Sequence, residues 1–571
     1  MTLQATFAAT LVEEWARSGV THAVVAPGSR SSPLALALAD RLRLHVLLDE
    51  RSAGFYALGL GLATGAPAVV LTTSGTAAVE LHPAVVEAHQ SGVAMIVCTA
   101  DRPSDLHNVS APQTVVQSRL FGDSVRWWAE PGVAEGFPRG SWRSLASRAF
   151  AESVAGPGGP GPVHLNLAFR DPLVAEPDDL PPGRDDGRPW HQALRTGGGA
   201  PPGLAERLRG RRGVVVAGRG GAGAAIGSLA EALAWPVLAD PLSGARCLPG
   251  AVAAFDGLLR CPDFAAAHEV ETVLRMGHPP ASKVLSSWLA GLGRAEQVVV
   301  DPHGRWPDPE RRADLVVHAD PERCAADLAA VVSPAPEGWL ARWAGAEAAA
   351  QEAIDSALAA HPEATEPGVA RVLTARLPDA ATLFVSSSMP IRDIEWFGAP
   401  GSSVRVLANR GANGIDGIVS TALGLAAGAA AVDPATGAAR PVVALLGDLA
   451  FLHDAGGLLA ARRRGLDCTL VVLDNHGGGI FSFLPQAASL GPGRFEALFA
   501  TPQEVDLAAL AEVHGLAVTT VDKAEEVWPA VREAVAAGGV RLVHVRTDRQ
   551  ANVALHEELH TEMATALGRR P

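Results

Sequence analysis

Short apolar runs alternate with longer stretches of helical spacing along most of the chain. In the first third, these runs show little alternation of apolar and polar residues, which is typical of strands buried on both faces of a parallel sheet. They are His22–Ala26, Leu44–Leu48, Pro67–Thr72, Val93–Thr99 and Val163–Ala168. Because a helical stretch follows each run, the pattern predicts an α/β fold in which helices cover both faces of the sheet.

The same alternation returns twice further along the chain. In the central region the candidate strands are Gly213–Ala217, Pro236–Ala239 and Gln297–Val300. In the last third they are Pro441–Leu446 and Cys468–Leu473, separated by helical spacing over Leu452–Arg464. The pattern predicts that these two regions are α/β units as well.

A stretch rich in proline and glycine, Val174–Gly203, has the composition of a linker. Together with the three blocks of alternation, it predicts three doubly wound parallel-sheet domains, at residues 1–185, 186–350 and 351–571. A chain of 571 residues, 48% hydrophobic and 19% charged, is long and apolar enough to build several cores of this kind.

Charge and cysteine usage narrow the expected partners and location. The formal net charge is −14 and no basic run is longer than Arg462–Arg464, so we expect neither nucleic acid nor a membrane as a partner. The uncharged stretch Gly417–Val432 is mostly Ala and Gly and too short to span a bilayer, which favours a buried helix. The N-terminus lacks the basic start of a signal peptide, and five scattered cysteines show no disulfide or metal spacing. These features predict a cytoplasmic protein with reduced thiols.

Two polar residues follow the candidate strands of the last third. Asp448 comes after the first strand and Asn475 after the second, and parallel strands release both at the same edge of the sheet. The glycines Gly477–Gly479 allow a backbone carbonyl to turn inward. Carboxylate, amide and carbonyl oxygens suit Mg²⁺, which shares its other positions with phosphates and water. The sequence therefore favours a metal-bound diphosphate here, although ordinary strand-end turns would use the same residues.

Two further strand ends, in the first third, carry candidate chemistry. The segment Pro27–Pro33, between a strand and a helix, has donors for an anion, and its Arg30 can clamp a carboxylate bidentately. Glu50 ends an apolar strand just before a small-residue helix, where a carboxylate would be partly desolvated. A capped helix with a surface arginine, and an ordinary strand-end acid, are the alternatives that these residues leave open.

The strand-end segments together resemble one enzyme family. Gly447-Asp448-Leu449 and Asp474-Asn475 are similar to the diphosphate-binding motif of thiamine diphosphate enzymes, and leucine after Gly-Asp is usual in the 2-succinyl-5-enolpyruvyl-6-hydroxy-3-cyclohexene-1-carboxylate synthase family. The segments that resemble this family, in order, are PGSRS, LDER, TSGT, ADRP, NLAFRDPL, NRGANGIDG, GDLAFLHD and DNHGGGIFSFLP.

The resemblance implies a fold, a reaction and an assembly. The three domains would be a pyrimidine-binding, a central and a diphosphate-binding domain, with thiamine diphosphate and Mg²⁺ (or Mn²⁺) as cofactors. The enzyme would be a carboligase, a transferase that decarboxylates 2-oxoglutarate and adds the resulting succinyl carbanion to isochorismate in menaquinone biosynthesis. The active sites would lie at the subunit interfaces of a homodimer or homotetramer, with Glu50 and Asp448 from different chains.

The resemblance also assigns roles to individual residues. Glu50 would bind the aminopyrimidine ring and help it take the proton from the thiazolium carbon, and Ile415 would hold the two rings bent. The implied catalytic residues are Glu50, Lys283, Arg392 and Arg410. The implied cofactor-binding residues are Glu50, Ser388, Ile415, Gly447, Asp448, Leu449, Asn475, Gly477, Gly479 and Ile480, with Asp448, Asn475 and Gly477 on the metal. The implied substrate-binding residues are Ser29, Arg30, Arg102, Gln113, Lys283, Ser388, Arg392, Arg410, Phe481 and Leu484.

Two other functions remain open on the sequence. The glycines of Gly218–Gly223 follow a strand and precede a helix, and Asp240 follows the next strand, which is the dinucleotide fingerprint of a dehydrogenase binding NAD or FAD. A different thiamine diphosphate enzyme, such as an acetohydroxyacid synthase relative, is the second alternative. The set of arginines argues against it, because small 2-oxo acids need fewer carboxylate partners.

Overall fold

The computed structural model of the chain describes residues 3–193, 197–221, 223–429, 440–459 and 461–568. Three six-stranded parallel sheets follow one another along these residues. Helices separate most of the consecutive strands, so the predicted α/β class with three doubly wound sheets is confirmed. The buried cores of the sheets consist mainly of Val, Leu, Ile and Ala, as expected for strands covered on both faces.

The first sheet lies between residues 22 and 168. Its strands are β1 (His22–Val25), β2 (Arg43–Val46), β3 (Ala68–Thr72), β4 (Met95–Asp101), β5 (Trp127–Gly132) and β6 (Pro162–Ala168). The helices of this region are α1 (Leu3–Ser18), α2 (Ser32–Arg41), α3 (Glu50–Thr64), α4 (Thr76–Val79), α5 (His82–Ser91) and α6 (Trp142–Ala155). The strand order is β2-β1-β3-β4-β6-β5.

The second sheet lies between residues 213 and 317. Its strands are β7 (Gly213–Ala217), β8 (Val237–Ala239), β9 (Ala251–Val252), β10 (Thr272–Met276), β11 (Glu296–Val300) and β12 (Leu315–Val317). The helices are α7 (Leu204–Leu208), α8 (Ala224–Leu233), α9 (Phe255–Arg260), α10 (Pro262–Ala267), α11 (Lys283–Gly291), α12 (Pro321–Ala329) and α13 (Trp339–Leu358). The order β12-β11-β10-β7-β8-β9 is that of a dinucleotide-binding fold.

The third sheet repeats the strand order of the first, as β14-β13-β15-β16-β18-β17. Its strands are β13 (Thr382–Val385), β14 (Arg405–Leu407), β15 (Val442–Gly447), β16 (Cys468–Asp474), β17 (Ala517–Val521) and β18 (Val540–Arg546). The helices are α14 (Glu366–Arg376), α15 (Met389–Phe397), α16 (Ile418–Gly428), α17 (Asp448–His453), α18 (Pro485–Ser489), α19 (Pro492–Phe495), α20 (Leu507–Val513), α21 (Ala524–Ala537) and α22 (Arg549–Gly568).

The strands predicted from the apolar runs are present, with ends that differ by at most two residues from the predicted ones. Eight strands of the described residues escaped prediction: β5, β9, β10, β12, β13, β14, β17 and β18. The continuous helix predicted over Leu452–Arg464 is wrong, because α17 ends at His453 and short 3-10 turns follow at Ala455–Leu458 and Ala461–Arg464. The helix predicted within Gly417–Val432 is α16. Residues 430–432 of that stretch, 194–196 of the predicted linker and 460 lie outside the described residues.

The chain forms two compact units. The first takes its described residues from Met1–Arg195, Asn409–Ala431 and Ala450–Cys468, and the second from Thr196–Ala408, Val432–Leu449 and Thr469–Pro571. The boundaries proposed for three domains therefore stay a prediction. None of the described helices is long and apolar enough to cross a membrane.

Close packing of α3 against α16 is the main helix contact of the first unit. A Cβ atom on Gly59 of α3 would lie 2.2 Å from the Thr421 carbonyl oxygen, and one on Gly424 of α16 would lie 2.1 Å from the Tyr56 carbonyl oxygen. Only glycine at these two positions lets the helix backbones approach this closely. Helix α3 begins at Glu50 and α16 follows Ile415, two of the residues to which the resemblance assigns a role.

Replacing the glycine at this contact should destabilise the first unit. Gly59→Ala places a methyl group against backbone, so we expect a loss of about 1–3 kcal/mol and faster hydrogen exchange in α3 and α16. Gly140→Ala is the control, since a Cβ there meets no atom within 4 Å. Equal thermal midpoints and equal exchange rates for the two variants would show that the contact does not constrain the helices.

Candidate active site

The ends of β15 and β16, neighbours in the third sheet, bring Asp448 and the turn after Asn475 together. The Asp448 side chain is buried, at 5% exposure. Its Oδ2 accepts the Gly477 N–H at 2.7 Å and its Oδ1 accepts the Leu449 N–H at 2.7 Å. Burial raises the pKa of this carboxyl to about 6, against the effect of these two N–H groups. Because a carboxylate oxygen has more than one lone pair, both oxygens can still bind a cation.

Asn475 completes this edge with an unpaired acceptor. Its Nδ2 donates to Glu366 Oε1 at 2.7 Å, whereas its Oδ1 is buried without a hydrogen-bond partner in the protein. Buried polar atoms rarely lack a partner, so an unpaired oxygen beside a buried carboxylate fits a cation. The described residues contain no group of three or more His, Cys, Asp or Glu that could hold a metal. One carboxylate, one amide and backbone oxygens therefore fit Mg²⁺ bound mainly through phosphates and water.

Two positions of this turn require glycine, because a side chain there would overlap neighbouring atoms. Gly477 has a φ of +131°, and a Cβ there would lie 2.2 Å from the Ala500 carbonyl oxygen. A Cβ on Gly479 would lie 2.6 Å from Asn475 Nδ2. The turn can thus carry side chains at neither position. The remaining predicted residues of this edge, all partly exposed, are Gly447, Leu449, Ile480, Phe481 and Leu484.

Behind Asn475 lies a buried charged cluster that the sequence analysis missed. Burial raises the pKa of Glu366 to about 7, and the nearby Asp393 adds to this effect. His556 of α22 contacts Asp393 Oδ1 through Nε2 and the Asn552 carbonyl oxygen through Nδ1, both at 2.7 Å. Burial alone would lower the pKa of His556, but the hydrogen bond to Asp393 raises it. Both ring nitrogens face acceptors, which favours the imidazolium form.

Two predicted substrate residues of the second unit lie together at the start of α15. Ser388 has a φ of +79°, which is strained for a residue other than glycine. The Arg392 guanidinium donates to the Ser388 carbonyl oxygen. Lys283 is exposed at the first residue of α11, after the helix cap Ser282. Ser388 and Arg392 are thus brought together.

In the first unit, Glu50 and Ile415 are near the same end of the α3–α16 pair. Asp454, fully buried, accepts the Ser420 N–H at 2.6 Å and the Ser52 hydroxyl at 3.4 Å. Ser52 is the third residue of α3 and Ser420 the third of α16. This carboxylate therefore joins the first turns of both helices, so that half-buried Glu50 and Ile415 lie at one end. Burial raises the pKa of Asp454 to about 6, although the two Ser420 donors oppose this.

Three other predicted residues gather at the ends of the strands of the first sheet. The Arg102 guanidinium donates to the Ser74 hydroxyl, and Gln113 Nε2 donates to the Ser74 carbonyl oxygen at 2.8 Å. Burial, and then the charge of Arg30, lower the pKa of Arg102. Arg30 itself donates to the Phe169 carbonyl oxygen at 2.9 Å and to the exposed Asp171 carboxylate at 3.3 Å, a partner that a substrate carboxylate would have to replace or share. This pair of cations suits a carboxylate.

The predicted Ser29 is exposed next to Arg30. Arg410 is half-buried in the loop before α16, and the start of this loop is held by Glu87 of α5. The Glu87 carboxylate, 3% exposed, accepts the N–H groups of Gly411 at 2.8 Å and Ala412 at 2.6 Å. Glu87 is a further residue that sequence reasoning missed.

The missed acids share one property, which is that their partners are far away in sequence. Glu366, for example, follows Thr365 and precedes Pro367, a pattern that indicates only the start of a helix. Asp454 could have been suspected from the sequence, because it belongs to the segment GDLAFLHD that carries the family resemblance. Nothing in the sequence around Glu87 indicates its role.

The dinucleotide alternative fails at the glycine-rich turn after β7. The Gly218 N–H donates to the Met276 carbonyl oxygen at 2.9 Å, and the His278 N–H donates to the Arg219 carbonyl oxygen at 2.9 Å. A Cβ on Gly218 would lie 1.6 Å from the His278 carbonyl oxygen. Glycine at this position therefore allows the loop after β10 to pack against the turn. That loop lies in the crevice where the pyrophosphate of a dinucleotide would bind. Residue 222 of this turn lies outside the described residues.

Comparison with known families agrees with the geometry. Residues 5–120 match the family model described as "Thiamine pyrophosphate enzyme, N-terminal TPP binding domain". Residues 186–385 match "Middle domain of thiamine pyrophosphate", and residues 406–545 match "Thiamine pyrophosphate enzyme, C-terminal TPP binding domain". The fold and these three matches define a thiamine pyrophosphate enzyme.

Three full-length relatives refine this class, and each bears the name 2-succinyl-5-enolpyruvyl-6-hydroxy-3-cyclohexene-1-carboxylate synthase. The chain is 44% identical to that of Thermobifida fusca, with 98% of both chains covered. It is 42% identical to that of Chloroflexus aurantiacus, covering 98% of this chain and 96% of the relative, and 42% identical to that of Myxococcus xanthus, covering 100% and 99%. The chain belongs to the 2-succinyl-5-enolpyruvyl-6-hydroxy-3-cyclohexene-1-carboxylate synthase family.

A methyl group at the turn after Asn475 should disturb this edge of the sheet. Gly477→Ala combines a disfavoured φ with a contact to the Ala500 carbonyl, so the Gly477 N–H should leave Asp448. We expect affinity for thiamine diphosphate, titrated calorimetrically with Mg²⁺, to fall about 10–100-fold. Gly493→Ala, where a Cβ meets no atom within 4 Å, should bind as the wild type does. Unchanged affinity in Gly477→Ala would separate the turn from cofactor binding.

Proposed function

We propose that the protein joins 2-oxoglutarate, with loss of CO₂, to isochorismate. The product is 2-succinyl-5-enolpyruvyl-6-hydroxy-3-cyclohexene-1-carboxylate, an intermediate of menaquinone biosynthesis. The observation that carries the proposal is the edge at β15 and β16, where a fixed buried carboxylate faces the turn after an asparagine with an unpaired oxygen. The full-length family match supports the choice of this reaction over other thiamine diphosphate chemistry.

Three residues would hold a divalent cation, Mg²⁺ or Mn²⁺. Asp448 supplies carboxylate oxygens, Asn475 its unpaired Oδ1, and Gly477 a backbone carbonyl oxygen. The cation would bind the diphosphate, while Gly447, Leu449, Gly479, Ile480 and Ser388 would contact the cofactor. Thiamine diphosphate, when bound, supplies the thiazolium carbon that adds to the 2-oxo acid and accepts the electron pair released with CO₂.

Glu50 is the residue to which we assign proton chemistry. Its carboxylate begins α3, half-buried, and Asp49 fixes this turn by accepting the Ser52 N–H at 3.0 Å. In this position Glu50 would share a proton with the aminopyrimidine ring. Ile415, brought to the same end of the helix pair, would hold the ring system in place.

The cations would bind the substrate carboxylates. Both substrates are dicarboxylates, and guanidinium groups bind carboxylates bidentately without losing their charge. We assign this role to Arg30, Arg102, Arg392, Arg410 and Lys283, with Ser29, Gln113 and Ser388 as neutral donors. The hydrogen bonds of Arg102 to Ser74 and of Arg392 to Ser388, both among strand-end or helix-start residues, support the assignment.

Water would be excluded by the apolar residues after the glycine turn. Phe481 packs edge-on against Phe499, with ring centroids 5.6 Å apart, and Leu484 follows one turn later. Both side chains remain partly exposed and are free to contact substrate. The three domains at 1–185, 186–350 and 351–571, and a cytoplasmic location, belong to the same proposal.

The reaction itself is the direct test. The protein with thiamine diphosphate, Mg²⁺, 2-oxoglutarate and isochorismate should release CO₂ and form the product, measured by its absorbance. Glu50→Gln should lower turnover by about 100-fold or more while cofactor binding persists. Glu80→Gln, at an exposed acid of the first unit, is the control. No reaction with isochorismate would refute the function, and normal turnover in Glu50→Gln would remove that residue from its role.

The assembly is testable by mixing two inactive variants. We propose a homodimer or homotetramer in which Glu50 and Asp448 of one site come from different chains. Unfolding and refolding Glu50→Gln with Asp448→Ala in equal amounts should then restore about a quarter of the wild-type activity, because half of the dimers are mixed and each holds one intact site. If one chain supplies both residues, as the packing of α3 on α16 within a single chain would allow, no activity returns.

A further inference from the structure

Asn475 presents its two amide atoms to different surroundings. The Nδ2 atom donates to Glu366 Oε1 at 2.7 Å and lies against Gly479, where a Cβ would come within 2.6 Å. The Oδ1 atom is buried and has no hydrogen-bond partner in the protein. A side-chain amide can rotate by a half turn with little change of shape. Its orientation is therefore set by the hydrogen-bond partners of its oxygen and its NH₂ group.

Glu366 sets the orientation of the Asn475 amide, because its Oε1 accepts a hydrogen bond from the Asn475 NH₂ group. Besides the Asn475 amide, Glu366 Oε1 faces the Thr547 hydroxyl, which donates to it at 3.4 Å. If the Asn475 amide were reversed, its oxygen would face the carboxylate oxygen, and its two N–H groups would be buried without acceptors. Both changes are unfavourable in a buried site.

We propose that Glu366 is a positioning residue of the metal site, which fixes the Asn475 amide so that Oδ1 faces the cation. The inference rests on the proposed function, since it concerns the cation that Asp448 and Asn475 would share. In this role Glu366 acts through the Asn475 amide and is not assigned as a metal ligand. Residues that orient metal ligands in this way typically change metal affinity 10–100-fold when they are replaced.

Replacing Glu366 by glutamine keeps the shape of the side chain and removes its preference for one orientation of the Asn475 amide. A glutamine can present either its oxygen or its NH₂ to Asn475, so both orientations of the Asn475 amide become acceptable. We expect Glu366→Gln to raise the Mg²⁺ concentration for half-maximal thiamine diphosphate binding by about 10-fold or more. Binding at saturating Mg²⁺ should reach the wild-type level, because the ligands themselves are intact. Calorimetric titrations at a series of Mg²⁺ concentrations measure both quantities.

Glu347 provides a matched control. It is a buried glutamate whose Oε1 accepts from the Gln351 side-chain amide at 2.7 Å, the same distance as between Glu366 and Asn475. Its other oxygen accepts the Ala254 N–H at 3.0 Å, and neither Ala254 nor Gln351 is among the residues assigned to the site. Glu347→Gln thus tests the loss of a buried carboxylate alone and should leave the Mg²⁺ dependence at the wild-type value.

The outcomes separate this inference from the proposed function. If Asp448→Ala loses Mg²⁺-dependent binding while Glu366→Gln titrates as the wild type does, Glu366 has no positioning role. If Asp448→Ala binds as the wild type does, the metal site itself is misassigned and the inference falls with it. Should Glu366→Gln fail to fold, Glu366→Asp moves the acceptor away from Asn475 by one methylene. A several-fold rise in half-saturating Mg²⁺ supports the role, and no rise overturns it.

Discussion

The hydrogen bond from the Gly477 N–H to the Asp448 carboxylate is the contact on which the proposed site depends. Parallel pairing brings the ends of β15 and β16 to one edge, but pairing alone does not fix the side chains there. The bond at 2.7 Å, with the second one from Leu449, holds both carboxylate oxygens in place before any ligand arrives. Such preorganisation lowers the entropy cost of binding a cation that demands strict geometry.

Buried carboxylates also accept backbone N–H groups in the first unit. The Asp454 carboxylate accepts a backbone N–H at the start of α16, and the Glu87 carboxylate accepts two at the start of the preceding loop. A buried carboxylate is costly unless it receives hydrogen bonds, and backbone N–H groups at a loop or helix start supply them. The segment carrying Arg410 and Ile415 is thus fixed at both ends by acids that are distant in sequence.

The fold was largely predictable because buried parallel strands are apolar on both faces. The strand Gly213–Ala217 was predicted with its observed bounds, whereas β17, which is mostly exposed at a sheet edge, has the polar sequence AVTTV and was missed. Apolar spacing wrongly suggested one helix over Leu452–Arg464. A Cβ on Gly457 would lie 2.4 Å from the Ser420 hydroxyl, so this stretch forms a tight turn against α16. Periodicity does not report such a contact.

Motif residues at strand ends could be found because topology gathers them, but the residues that orient them could not. Glu366 precedes Asn475 by 109 positions, and nothing in its local sequence indicates the pairing. The function of a glycine-rich turn is equally difficult to predict from its sequence. After β7, the glycines admit another backbone loop, whose N–H and carbonyl groups pair with those of the turn. After β16, the glycines leave the Asn475 oxygen unpaired. Two similar glycine-rich turns thus differ in their surroundings, and beside the second one a buried side-chain oxygen is left without a hydrogen-bond partner in the protein.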